Sequence, residues 1–140
     1  MEFDSVRPYS LALESLRTAG LRPTRQRLAL ARLLLTGGGR HITAEQLHEE
    51  AIQNQVRVSL ATVYNTLHQF IEAGLLREIV VESGRSYFDT NTTVHHHFFH
   101  EDTACLEDIP NDSIELSRVP EAPPGTVISQ VDVVVRLRRA

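Results

Sequence analysis

The chain opens with helical periodicity. Leu11, Leu13, Leu16 and Ala19 recur at helical spacing and predict a helix over 9–19, stopped at Gly20. After the connector Leu21-Arg22-Pro23, Thr24 has the side chain to cap a second helix. Its inner face runs through Leu28, Leu30, Ala31, Leu34 and Leu35, and Gly37-Gly38-Gly39 ends it. Thr43 with Gln46 three residues on has the form of a capping box and opens a third helix, with Ala44, Leu47, Ala51 and Ile52 on one side. Ser59 caps a fourth, with Leu60, Val63, Leu67, Phe70 and Ile71 inward and Gly74 as its close. The period then changes to two. Leu76–Glu82 and Arg85–Asp89 flank Ser83-Gly84, the pattern of a β-hairpin. Helices followed by a two-stranded wing are the arrangement of a winged helix-turn-helix.

Thr90-Asn91-Thr92-Thr93 is polar and reads as a hinge, which divides the chain into 1–89, the hinge 90–93, and 94–140. The second part alternates short apolar runs with prolines. Its strongest strand pattern is Val127–Leu137, with Val131, Val133, Val135 and Leu137 on one face. Such a short piece is too small to be stable alone, so it is expected to form a homodimer by extending its sheet across a second copy. Cys105 is the one cysteine, which excludes an intrachain disulfide and a thiolate-only zinc site. The fold class is therefore α+β: an N-terminal winged helix-turn-helix domain and a small C-terminal α/β dimerisation domain. No apolar run approaches the roughly 18 residues of a membrane span. Residues 1–10 lack the apolar centre of a secretory leader, so a cytoplasmic location and no membrane partner are expected.

The net charge of −4 argues weakly against nucleic acid, but the charge is uneven. Six arginines (17, 22, 25, 27, 32 and 40) and no acid lie between Ser15 and Ala44. That block, with Arg22 and Arg25 at its centre, suits a phosphate backbone; an ordinary solvated helix face balanced by acids elsewhere explains it equally well. The fourth helix carries more. Opposite its apolar side stand Ser59, Thr62, Tyr64, Asn65 and Thr66, near the end that enters the major groove in helix-turn-helix proteins. Asn pairs bidentately with adenine, and Tyr and Thr reach thymine methyls or phosphates. Arg57, just before the cap, is placed for a phosphate.

His95-His96-His97-Phe98-Phe99-His100 gathers four of the seven histidines. On a strand, His95 and His97 point to one side and His96 to the other. The pair can ligate one metal, with Asp89, Glu101, Asp102, Glu107 and Asp108 as nearby carboxylates. A polar, pH-sensitive strand is the plainer reading. His41 reads as a loop residue, and His48 and His68 as exposed or structural. No nucleophile arrangement, HExxH helix or glycine-rich phosphate loop appears, so the chain is not expected to be an enzyme. A metal carrier in which the helices are only scaffold is a further alternative.

Four segments, Leu21-Arg22-Pro23-Thr24-Arg25-Gln26-Arg27, His41-Ile42-Thr43-Ala44-Glu45, Leu60-Ala61-Thr62-Val63-Tyr64 and Gly84-Arg85-Ser86-Tyr87-Phe88-Asp89, precede the histidine run. Together and in this order they resemble the ferric uptake regulator (Fur) family. The histidine triplet and the missing cysteine pairs resemble its iron response regulator branch in α-proteobacteria. The resemblance implies a dimer on a palindromic duplex, and a metal site made of His41, Asp89, His95, His97 and Asp108, with Asp at two positions where Glu is usual. It implies haem as a possible ligand of His95, His96 and His97, and Tyr64 as the base-contacting tyrosine. A second family site would fall on Val94, His96, Glu115 and Gln130, two of which are poor ligands, and His100 and Thr103 stand where a zinc-binding cysteine pair would be. The dimer-domain helix is expected to be short, since Pro120, Pro123 and Pro124 interrupt it. The function so implied is an iron- or haem-responsive transcriptional regulator of iron homeostasis genes using Fe²⁺, Mn²⁺ or Zn²⁺. The alternative is a Mn²⁺- or other divalent-metal-responsive repressor without haem sensing.

Overall fold

The computed structural model describes residues 2–36, 39–82, 85–110 and 113–140, with side chains from residue 9 onward. They form two compact units, Met1–Thr92 and Thr93–Ala140. The expected helix stop at Gly37-Gly38 and the hairpin turn at Ser83-Gly84 lie outside the described residues.

The first unit runs α1 (Glu2–Thr18), α2 (Arg25–Leu35), β1 (His41–Ile42), α3 (Ala44–Gln53), α4 (Leu60–Glu72), β2 (Arg77–Glu82) and β3 (Arg85–Asp89). Each cap foreseen from the sequence is made. Thr24 Oγ1 accepts the Arg27 N–H at 3.3 Å. Thr43 and Gln46 exchange both bonds of a capping box, at 3.1 and 2.9 Å. Ser59 Oγ accepts the Thr62 N–H at 3.1 Å. Caps of this kind stabilise a helix by about 1 kcal/mol each.

One core joins the helices: Ala12 and Leu16 of α1, Leu30, Ala31 and Leu34 of α2, Ala44, Leu47 and Ala51 of α3, and Val63, Leu67 and Phe70 of α4, with Ile42, Leu76 and Phe88 from the sheet side. Several expectations are corrected here. α1 starts at Glu2 rather than Tyr9, and its inner face is Ala12 and Leu16, while Leu11 is 50% exposed. Ile52 is 59% exposed, because the stripe of α3 passes through Ala44, Leu47 and Ala51. Leu60 is only half-buried at the margin of the core. Thr66 is buried on the core side of α4, not on the reading face; Val63, Thr66, Leu67 and Phe70 make the i, i+3, i+4, i+7 stripe. Its hydroxyl donates to the Thr62 carbonyl at 2.8 Å, which satisfies the one polar group on that side. α3 ends through Gln55 in the left-handed region (φ 61°), with the Val56 N–H donating to the Ala51 carbonyl at 2.8 Å.

β2 and β3 pair antiparallel, and β1 joins the far side of β3, giving the order β1-β3-β2. The segment 41–42, read from sequence as a loop, is therefore a strand. Two residues are too few to show a period of two.

The second unit holds β4 (His97–His100), β5 (Cys105–Asp108) and β6 (Val134–Leu137), in the order β5-β4-β6. β4 and β5 are antiparallel, and β4 and β6 parallel. Parallel pairing needs a long crossover, usually a helix. Among the described residues between β5 and β6 there is no helix or strand. Pro110, Pro120, Pro123 and Pro124 remove the backbone donors a helix there would use. The strand expected over 127–137 shrinks to Val134–Leu137, and Val127 is 88% exposed. β4 pairs through only four residues, and the last bond before Val134 is the His97 N–H donated to the Val133 carbonyl at 3.1 Å.

Candidate functional site

Two groups of side chains of metal-ligand type, one in each unit, are brought together around paired strands. In the first unit, antiparallel pairing places His41 directly opposite Asp89. His41 Nε2 lies 3.2 Å from Asp89 Oδ2, and the Asp89 side chain is 1% exposed. Asp89 Oδ1 accepts the Asn91 N–H at 2.8 Å. Arg40 steadies the strand from the preceding position. Its N–H donates to Thr90 Oγ1 at 2.9 Å and its carbonyl accepts the Thr90 N–H at 3.1 Å. Its guanidinium donates to the Leu33 carbonyl at 2.9 Å and to both carboxylate oxygens of Glu50. The Glu50 hydrogen bonds raise the Arg40 pKa above its ordinary value, against the lowering effect of burial. Sequence reading missed this role, since an arginine bonded to residues 7 and 10 positions away leaves no periodic mark.

In the second unit, β4–β5 pairing places His97 opposite Asp108. One Asp108 oxygen, Oδ1, lies 3.2 Å from His95 Nε2 and 3.3 Å from His97 Nε2. One ligand atom from each of the three lies within 4.8 Å of the others. The two rings are 4.5 Å apart, although the strand expected over the histidine run begins only at His97 and His95 precedes it. Both are buried, while the Asp108 side chain is 47% exposed. His95 Nδ1 sits 2.7 Å from the Thr93 carbonyl. A carbonyl only accepts, so this nitrogen carries the hydrogen, and in the neutral ring Nε2 turns a lone pair toward Asp108. A lone pair facing a carboxylate oxygen repels it unless positive charge, a proton or a metal ion, lies between them. Imidazole nitrogen plus carboxylate oxygen is a donor set that Fe²⁺, Mn²⁺ and Zn²⁺ accept.

His96 goes elsewhere. Its Nδ1 accepts the Val133 N–H at 3.1 Å, a bond that ties β4 to the approach of β6. Around the expected second site, Val94 is 84% exposed and the Gln130 amide donates to the Asp132 carboxylate. His100 Nε2 lies 2.8 Å from Glu107 Oε1, and Cys105 is exposed with its thiol toward the Thr103 carbonyl. His48, expected to be exposed, is half-buried, with Nε2 3.1 Å from the Val58 carbonyl. His68 is exposed, its ring edge-on to Phe88.

The reading-face candidates all lie in the first unit. Arg22, Arg25, Arg57, Ser59 and Asn65 are exposed, and Thr62 and Tyr64 half-buried. The Ser59 hydroxyl donates to Thr62 Oγ1 at 2.9 Å while capping α4, so both hydroxyls serve the helix start. The Tyr64 hydroxyl donates to Glu45 of α3. Arg27 joins α2 to α4, its Nε donating to Gln69 Oε1 at 3.1 Å, and it also donates to the Arg22 carbonyl at 3.0 Å.

The model of the ferric uptake regulator family matches residues 18–132. The chain belongs to the ferric uptake regulator family. It is 35% identical over 103 residues to the ferric uptake regulation protein of Klebsiella pneumoniae, a stretch covering 73% of this chain and 66% of that protein. Against the ferric uptake regulation protein of Vibrio cholerae the identity is 35% over 94 residues, 67% of this chain and 60% of that one. The peroxide-responsive repressor PerR of Staphylococcus aureus is 34% identical over 97 residues, 69% of this chain and 65% of the repressor. The matched stretch thus spans about 60% of the length of the Vibrio cholerae relative. Among solved structures, the Vibrio cholerae ferric uptake regulator superposes with a TM-score of 0.70 at 24% identity, over 90% of this chain and 98% of that one. The Pseudomonas aeruginosa regulator with manganese gives 0.68 at 24%, over 91% and 97%. These likenesses show the fold: the α+β architecture of the Fur family, with a winged-helix first unit.

Proposed function

We propose that this Fur-family chain is a metal-responsive, DNA-binding transcription regulator of iron homeostasis genes, acting as a homodimer on a palindromic operator. The observation that carries this reading is the convergence of His95 Nε2 and His97 Nε2 on a single Asp108 oxygen, in a chain that also carries a winged-helix unit. The candidate ligands are His41 and Asp89 in the first unit and His95, His97 and Asp108 in the second. On this reading a bound divalent ion is the signal to which the chain responds. Its occupancy then sets the spacing of two recognition helices in the dimer. On the DNA side, Arg22, Arg25 and Arg57 serve phosphates, Thr62, Tyr64 and Asn65 serve base edges, and Ser59 holds the helix start.

Fe²⁺ and Mn²⁺ are the preferred ions. The set has imidazoles and carboxylates but no thiolate, and its carboxylates suit harder ions such as Mn²⁺ and Fe²⁺. Haem draws no support from this geometry. Two imidazoles aimed at one carboxylate oxygen suit a single ion, whereas haem needs an axial nitrogen opening on a broad apolar slot. The His96 acceptor nitrogen is bonded to Val133, and Phe99 is part of the core. The divalent-metal reading without haem sensing is therefore favoured. The relatives' names agree in kind: a ferric uptake regulator with manganese and a zinc-bound manganese uptake regulator share the fold.

Metal analysis of the purified protein tests this reading. One divalent ion per chain is expected at the site, lost in His97→Ala and retained in His100→Ala. Equal metal content in all three proteins overturns the site.

A further inference from the structure

We infer that Glu45 is a positioning residue for base reading, holding Tyr64 of α4 in place through its hydroxyl. The inference rests on the DNA-binding reading above. Tyr64 is fixed at both ends. Its ring packs against the core cluster, and its hydroxyl donates to Glu45 Oε1 at 2.5 Å. Glu45 lies in the first turn of α3, so the bond ties the first helix of the helix-turn-helix pair to the second.

Both groups are in the state the bond requires. The Glu45 carboxyl lies below its usual range, first because Tyr64 donates to it, with its own backbone N–H and the Arg85 charge adding. The Tyr64 phenol lies above its usual range, chiefly because Glu45 accepts its proton. The pair is thus a charge-assisted hydrogen bond at neutral pH.

The consequence is specificity rather than raw affinity. A side chain already held in one rotamer loses little further freedom on contact, and only a duplex that fits the held ring gains from that. The Glu45 carboxylate itself repels phosphates of any sequence. One residue therefore weakens all DNA binding slightly and favours the fitting sequence, which raises the ratio of specific to non-specific affinity.

The test uses the full-length protein and a duplex selected from a random pool. The specific-to-non-specific ratio is measured for wild type, Glu45→Ala, Glu45→Gln, Tyr64→Phe and the Glu45→Ala/Tyr64→Phe double variant. Glu45→Ala is expected to lower the ratio about tenfold, the loss of one hydrogen bond to a charged group. Glu45→Gln keeps an acceptor and should stay within about threefold of wild type. Tyr64→Phe should match Glu45→Ala, with no further loss in the double variant. The alkaline absorbance titration of Tyr64, identified by difference from Tyr64→Phe, should fall back to the ordinary phenol range in Glu45→Ala. An unchanged ratio in Glu45→Ala, or additive losses in the double variant, overturns the role of Glu45 alone. A wild-type protein that selects no sequence overturns the DNA-binding reading itself, and this inference with it.

Discussion

His97 and Asp108 stand directly opposite each other in the β4–β5 ladder, and the same Asp108 oxygen also meets His95. Register therefore positions the candidate ligands His97 and Asp108. A one-residue slip in this pair would turn Asp108 to the opposite face of the sheet and dissolve the group.

Asp108 is the test of reach. Asp108→Ala should lower divalent-metal affinity by 10-fold to 100-fold or more, since one of few charged donors is lost. Asp108→Glu keeps the charge on a longer arm and should retain more affinity than Ala but less than wild type. Calorimetric titration with Mn²⁺ measures both, and an Ala variant binding as tightly as wild type removes Asp108 from the site.

Arg40 should matter to stability and to the first half of the metal set together. Arg40→Ala removes the bonds to the Leu33 carbonyl and to Glu50, at a cost of about 1 kcal/mol given the partial exposure of the pair. Urea unfolding checks this through a lower midpoint at unchanged slope. A variant as stable as wild type shows that the Arg40 bonds hold nothing in place.

The turn between α3 and α4 offers the opposite sign. Gln55 occupies the left-handed region at φ 61°, where glycine has no steric penalty. Gln55→Gly should be neutral to stabilising by up to about 0.5 kcal/mol, the relief being partly offset by a freer unfolded chain. Thermal unfolding reads the difference, and a clear loss of stability contradicts the assigned backbone.

Stability should fall at both pH extremes through Glu45 and Tyr64. A carboxyl held low contributes stability above its unfolded pKa and loses it as pH falls through the folded one; a phenol held high contributes below its unfolded pKa and loses it as pH rises through the folded one. The acid loss lies below the ordinary carboxylate range, and the alkaline loss above the ordinary phenol range. Glu45→Gln should flatten the acid limb and reduce the alkaline one. Identical pH–stability profiles for the two proteins show that the bond is not made in solution.

The parts of the fold legible in sequence were those governed by local rules. Caps at Thr24, Thr43 and Ser59 came from side-chain chemistry within three residues. What misled was set by partners distant in sequence. The β1 strand exists because β3 offers it an edge, and β6 pairs with β4 through only four residues. Thr66 reads as polar surface, yet its bond to the Thr62 carbonyl lets it join the core. The family resemblance implies one set of five metal-ligand candidates; the strands bring His41 to Asp89 in the first unit and His95 and His97 to Asp108 in the second, while Arg40 and Glu45 were invisible because their partners are reached only by tertiary packing.

The central claim is that metal binding and DNA binding are linked, and linkage is reciprocal. The direct measurement is Mn²⁺ affinity of the full-length protein with and without saturating operator duplex, at fixed salt. A change of at least about fivefold, in either direction, and its loss in the His95→Ala/His97→Ala variant, is the predicted result. The same Mn²⁺ affinity with and without duplex would contradict the account.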